Sequence, residues 1–149
     1  ICRGDVIATT PDSDFIVHDN GTVTHLTTGL TWMRCSLGQN WNGNACSGTG
    51  TIYTWQDALQ AADGYQYAGY SDWRLPNKNE LESIVEASCI NPAINSTIFP
   101  NTQPFTFWSS SPVAFYADNA WDVDFRRGSV VSIFSKSHQN MVRLARSAQ

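Results

Sequence analysis

Arg126 and Arg127 stand side by side, with Lys136 and His138 close behind and no acidic residue from Phe125 to Gln149. With Arg143 and Arg146 included, that segment carries +5, and the rest of the chain carries −9. Paired guanidinium forks give two-pronged hydrogen bonds to carboxylate or sulfate, and an ammonium adds a point charge. The late basic stretch is therefore a candidate anion-recognition surface. The plainer alternative is that these cations neutralise the acidic remainder within the fold.

Asp122 and Asp124 precede them, two residues apart, so on a strand both face the same way. With Asn119 and loop carbonyls they could supply the six or more oxygens that a calcium ion takes. Calcium is the only cofactor this suggests, and no regular D-x-D-x-D-G spacing accompanies the pair. The competing expectation is a solvated polar face opposite Trp121, Val123 and Phe125.

Flat rings beside amides and hydroxyls recur in "NWNGN" (40–44), "FWSSSP" (107–112) and "FYADNAW" (115–121). Sugar recognition needs this combination, a ring face for stacking and planar polar groups for hydroxyls. Helical or strand spacing assigns Trp32, Trp55 and Trp121 to the core. Trp41, flanked by Asn, is the ring expected to be exposed.

Catalytic signatures are missing from the chain: no G-x-S-x-G, no H-E-x-x-H and no Gly-rich phosphate loop occurs. His18, His25 and His138 are scattered, with no nucleophile motif beside them. The expectation is a binding protein, not an enzyme. Arg3-Gly4-Asp5 spells an integrin-type tripeptide next to Cys2, and Asn95-Ser96-Thr97 matches a glycosylation acceptor; both read more simply as loop.

These groups need a frame. At 149 residues the chain is expected to form one domain, 1–149, able to bury roughly 68–70% of its unfolded surface. Charged residues make up only 15%, while Trp numbers six, so apolar and aromatic packing drives folding. Asn20-Gly21 and Thr28-Gly29 mark turns in an N-terminal antiparallel ribbon. "YTWQDALQAADG" reads as a helix capped by Thr54 and ended by Gly64, with Trp55, Ala58, Leu59 and Ala62 on its apolar face. "PNKNELESIVEAS" reads as a second helix, with Asn77 and Glu80 forming a capping box and Leu81, Ile84, Val85 and Ser88 inward. In "GYSDWRL" before it, Tyr70, Trp73 and Leu75 are expected to be buried, and Asp72 and Arg74 to find hydrogen-bond partners. Strands follow: "FTFWSSS", then a hairpin turning at Arg127-Gly128 with Val130, Val131 and Ile133 returning, then Val142 and Leu144 beside the first ribbon.

Four cysteines at no metal-ligand spacing favour disulfides over free buried thiols. Of three possible pairings, Cys35–Cys46 would staple the loop between them and Cys2–Cys89 would tie the chain start to the second helix. An oxidising, extracellular or cell-surface location follows. No apolar run approaches the roughly 20 residues of a membrane span, so no membrane insertion is expected. The start at Ile1 suggests a mature or excised piece. A net charge of −4 argues against nucleic-acid partners.

The ordered blocks "NGTVTHLTTGLTWMRC", "WQDAL", "GYSDWRLPNKNELES", "INPAI", "FWSSSP", "AWDVDFRRGSV" and "VRLAR" resemble the Lcl C-terminal domain family over about residues 19–146. That family comprises the C-terminal domain of the Legionella collagen-like adhesin and of related secreted bacterial proteins. The resemblance implies an α+β, C-type lectin-like fold: two short helices on twisted antiparallel sheets, long loops, chain ends joined in one sheet. It also implies binding of a glycan or host surface protein, and the adhesin's domain is a trimer that holds sulfated glycosaminoglycans through basic residues. On this chain those correspond to Arg126, Arg127, Lys136 and His138. The cysteines match no formylglycine-generating site, and the E-P-N and Q-P-D sugar motifs of calcium-dependent lectins do not occur. The expected role is adhesion through Trp41, Asn119, Asp122, Asp124 and the late basic hairpin. The alternative is an assembly module, such as a pilus-tip or fibre subunit binding its own kind or other proteins.

Overall fold

The computed structural model describes residues 1–147. Strands β1 (Phe15–Val17), β2 (Thr22–His25) and β3 (Leu30–Met33) form the expected ribbon, with Val23 opposite Trp32. Gly21 and Gly29 take the positive φ its turns require. A two-stranded ribbon, β4 (Asn40–Trp41) and β5 (Cys46–Ser47), forms at the far end of the loop that Cys35–Cys46 closes. Helix α1 (Trp55–Ala62) begins at Thr54, whose hydroxyl accepts the Asp57 amide, and Gly64 follows its end at positive φ.

Helix α2 (Lys78–Glu82) carries the complete Asn77–Glu80 capping box but is shorter than the sequence predicts. Ser83 donates to the Glu80 carbonyl, and Val85 leaves the helix to bridge Ile94, so Leu81 and Ile84 are buried from two different backbone conformations. Strands β6 (Thr106–Pro112), β7 (Ala120–Asp124) and β8 (Ser129–Val131) make a three-stranded antiparallel sheet. Strand β9 (Ala145–Ser147) pairs antiparallel with β3, closing the order β1-β2-β3-β9 and joining the chain's end to its first ribbon. Val142 and Leu144 precede β9 and are buried, while Ile133 lies outside β8 and is 74% exposed.

Both faces of the central strands β3, β6 and β7 are largely covered. Trp32, Phe107, Val123 and Phe125 enter one apolar cluster with Phe99 and Ile84, and Met33, Trp108, Ala120 and Leu144 enter a second with α1. Alternation along a strand therefore sends neighbours to two cores, not to core and solvent. Cys2–Cys89 and Cys35–Cys46 are both bonded, the pairing expected from the sequence.

The corner before α2 behaves partly as expected. Trp73 and Leu75 are buried, Asp72 accepts from Arg146, and Arg74 grips Glu80. Tyr70, expected inside, is 46% exposed and lies flat beneath the Arg146 guanidinium at 3.7 Å.

Candidate ligand-binding site

The two ends of β7 hold different chemistry. Arg126 and Arg127 follow its last residue, whereas Asn119 precedes its first, and Asn119 bridges Ser135, bringing Lys136 and His138 to that same end. Five residues of strand separate the two ends by about 17 Å. The late basic residues thus do not form one surface. Arg126 is also spent locally, its guanidinium meeting both Asp124 oxygens at 2.9 to 3.2 Å.

At the Asn119 end, two loops are fastened together. Asn119 Nδ2 donates to the Ser132 carbonyl at 2.8 Å, and the Lys136 amide donates to the Asp118 carbonyl at 2.8 Å. The Lys136 carbonyl takes the Trp55 amide at the start of α1, and Lys136 Nζ sits 4.7 Å from the centre of the Trp55 ring. His138 stacks on Phe134 at 4.1 Å. Trp55 Nε1 donates to the Ser109 carbonyl, and Ser109 Oγ donates to the Trp121 carbonyl. Two residues on, Ser111 Oγ accepts the Lys78 amide, and Lys78 Nζ lies 5.2 Å from the Trp121 ring. Phe115 meets Trp121 edge-on at 6.3 Å. Two tryptophan–lysine pairs therefore bracket Ser109–Ser111, with Phe115 and Tyr116 exposed nearby.

Between the helices opens a cleft of about 670 Å³. Gln56, Gln60 and Asp63 of the α1 side face Asn77 and Ser110 across it, over a base of Leu59, Trp73 and Leu75. The Arg74–Glu80 ion pair forms part of the wall. Sequence reading missed this cleft and Lys78. The available signal was the Gln56/Gln60 spacing, one turn apart on the face opposite Ala58 and Ala62.

Three expected contacts fall elsewhere or inside. Trp41 is half-buried, with the Arg34 guanidinium 4.5 Å over its ring, so it is not the free ring that its Asn-rich setting predicts. Asp122 is fully buried, because its face of β7 packs against the second core and not against water. Asn140 Nδ2 reaches its Oδ2 at 3.4 Å, and its Oδ1 has no partner among the described residues. Burial, and then the neighbouring Asp124 charge, push the Asp122 carboxyl up to about 7. With Asp124 holding Arg126, the pair is not laid out for a cation; among the described residues no three His, Cys, Asp or Glu side chains converge.

The remaining motifs are also occupied. Arg3 and Asp5 pair with each other at 3.4 Å on an exposed turn. Asn95 Nδ2 donates to the Thr10 carbonyl and to Asp12 Oδ1.

A chain with two disulfides, a β3–β9 closure and this order of caps and corners matches the family model described as the Lcl C-terminal domain, over residues 21–146. The chain belongs to the Lcl C-terminal domain family. No curated protein matches it. Family membership and the bonded cysteines fit an adhesin-related domain of a secreted protein. None of the described helices is long and apolar enough to cross a membrane.

Proposed function

We propose that this Lcl C-terminal domain is a secreted or surface-displayed adhesion module of C-type lectin-like fold. It binds a glycan or host-surface ligand without catalysing a reaction. The supporting observation is the loop end of the β6–β8 sheet, where Lys78 on Trp121 and Lys136 on Trp55 frame Ser109–Ser111. Each ring carries an ammonium group over one face, and Ser110 stands between the two pairs, so aromatic surface, positive charge and a hydroxyl lie together. Two helices and a sheet uniting the chain ends support the lectin-like assignment.

A glycan array probed with and without calcium tests the reading. The wild-type protein is expected to bind a defined set of glycans, and Lys78→Ala with Lys136→Ala to lose them at an unchanged melting temperature. Binding to no glycan, or full retention by the double variant, would overturn it.

A second reading, assembly with other proteins, draws on exposed Phe115, Tyr116 and Ile133, whose loops Asn119 ties together. Light scattering that finds a defined oligomer, dispersed by Phe115→Ser with Ile133→Ser, would favour that reading.

A further inference from the structure

We propose that the α1/α2 cleft is a saccharide site that takes an uncharged ring, a refinement that rests on the glycan-binding reading above. Its volume of about 670 Å³ falls within the range of small-ligand sites. The side chains of Gln56, Gln60, Asp63 and Ser110 have no hydrogen-bond partner among the described residues. Carboxamides donate and accept, a carboxylate accepts, and a hydroxyl does either. Vicinal sugar hydroxyls demand this mixture, since each must both give and take a hydrogen bond. Leu59, with Trp73 and Leu75 beneath, supplies an apolar base for the C–H face of a ring.

Charge selects among sugars. Arg74 is the only cation lining the cleft, and both its terminal nitrogens are engaged by Glu80 at 2.7 and 2.9 Å. Among the described residues Asp63 has no counter-ion, so the lining is net negative and repels sulfate or carboxylate. Elsewhere, Arg126, Arg146 and Arg3 are also held by aspartates, and Arg143 is fully enclosed. Lys78 and Lys136, the cations that bracket Ser109–Ser111, do not line the cleft.

The test is a titration of isotope-labelled protein, followed by NMR, with three uncharged disaccharides (maltose, lactose and N,N′-diacetylchitobiose) and with a sulfated disaccharide. At least one uncharged sugar is expected to move the Gln56 and Gln60 side-chain amides and the Ser110 backbone amide at millimolar concentration. The sulfated sugar leaves them in place. Gln56→Ala with Gln60→Ala removes exposed helical side chains without disturbing α1, and raises the apparent Kd by about tenfold or more. Cleft resonances that stay fixed with every uncharged sugar, or that move only with the sulfated one, overturn the proposal. A protein that binds arrayed glycans while its cleft stays fixed loses this site and keeps the adhesion reading. Failure on the array as well removes both.

Discussion

Arg74 and Glu80 form a two-pronged ion pair, Nη1 to Oε1 at 2.7 Å and Nη2 to Oε2 at 2.9 Å. The same carboxylate takes the Asn77 amide at 2.8 Å, completing the α2 cap. Arg74 in turn exchanges backbone hydrogen bonds with Ala145 at the start of β9. One residue thus joins the helix start, the cleft wall and the strand that closes the chain ends.

Glu80→Ala is expected to cost about 2 kcal/mol, roughly half from the cap and the rest from a half-exposed ion pair. The Arg74 hydrogen bond outweighs the opposing effect of burial and holds the Glu80 carboxyl below its ordinary range. Its contribution is therefore present above the ordinary glutamate pKa and fades as pH falls. Urea unfolding at pH 7 and pH 3 checks both statements; a mutational cost equal at the two values would refute the linkage.

Glu86 should control the attachment of the chain's start. Burial favours its neutral form, yet hydrogen bonds from the amides and hydroxyls of Thr9, Thr10 and Ser88 prevail and hold the carboxyl at about 2. Because the folded value lies below the unfolded one, this stabilisation is complete above the unfolded pKa and is lost as pH falls towards 2. Glu86→Gln is expected to speed hydrogen exchange at Thr9 and Thr10 by about tenfold or more at neutral pH, through loss of charge-assisted bonds. Unchanged protection at both amides would show that Cys2–Cys89 and the Asn95 hydrogen bonds hold the segment without the Glu86 charge.

The caps and the Cys35–Cys46 staple were legible in sequence because each depends on a few neighbouring residues, and Cys2–Cys89 followed as the remaining pair. Asn77 and Glu80 need only their spacing, and Asn20-Gly21 only its turn preference. Burial on β7 is not legible from alternation, which by itself implies one wet face. Asp122 lies opposite Trp108, on a face covered by the α1 side of the fold, and that covering comes from residues far away in sequence. The basic cluster failed for a related reason. Arg127 and Lys136 are near in sequence, but the intervening hairpin carries them to opposite ends of a strand, and Asp124 claims Arg126 across two residues. The cleft was invisible because α1 and α2 meet there through Ser110, contributed by a strand that begins more than twenty residues after α2 ends.

Gly38 tests how closely the stapled loop packs. It has φ +97, and a methyl group there would fall on the Thr51 hydroxyl and 2.5 Å from the Thr51 backbone nitrogen. Gly43 has a similar φ of +101 with open space around it. Gly43→Ala thus reports backbone strain alone, about 1–2 kcal/mol, and Gly38→Ala adds overpacking for a total of about 3 kcal/mol or more. Equal losses in chemical denaturation would mean that Thr51 moves aside at little cost.

Asp122 should give the domain an unusual pH response near neutrality. Its carboxyl, at about 7 when folded, binds a proton more tightly than in the unfolded chain, where an aspartate titrates near 4. Stability from this group is therefore greatest at low pH and falls as pH rises from about 4 to 7, opposite to the trend set by Glu80 and Glu86. Asp122→Asn keeps the shape and the Asn140 contact but carries no charge at any pH. The variant's melting temperature minus that of wild type should climb through this window and level off above about pH 8, by about 5 °C or more. Parallel melting curves across the window would show that Asp122 stays ionised inside the fold, with Asn140 and Thr106, which donates to Asn140, sufficient to hold its charge.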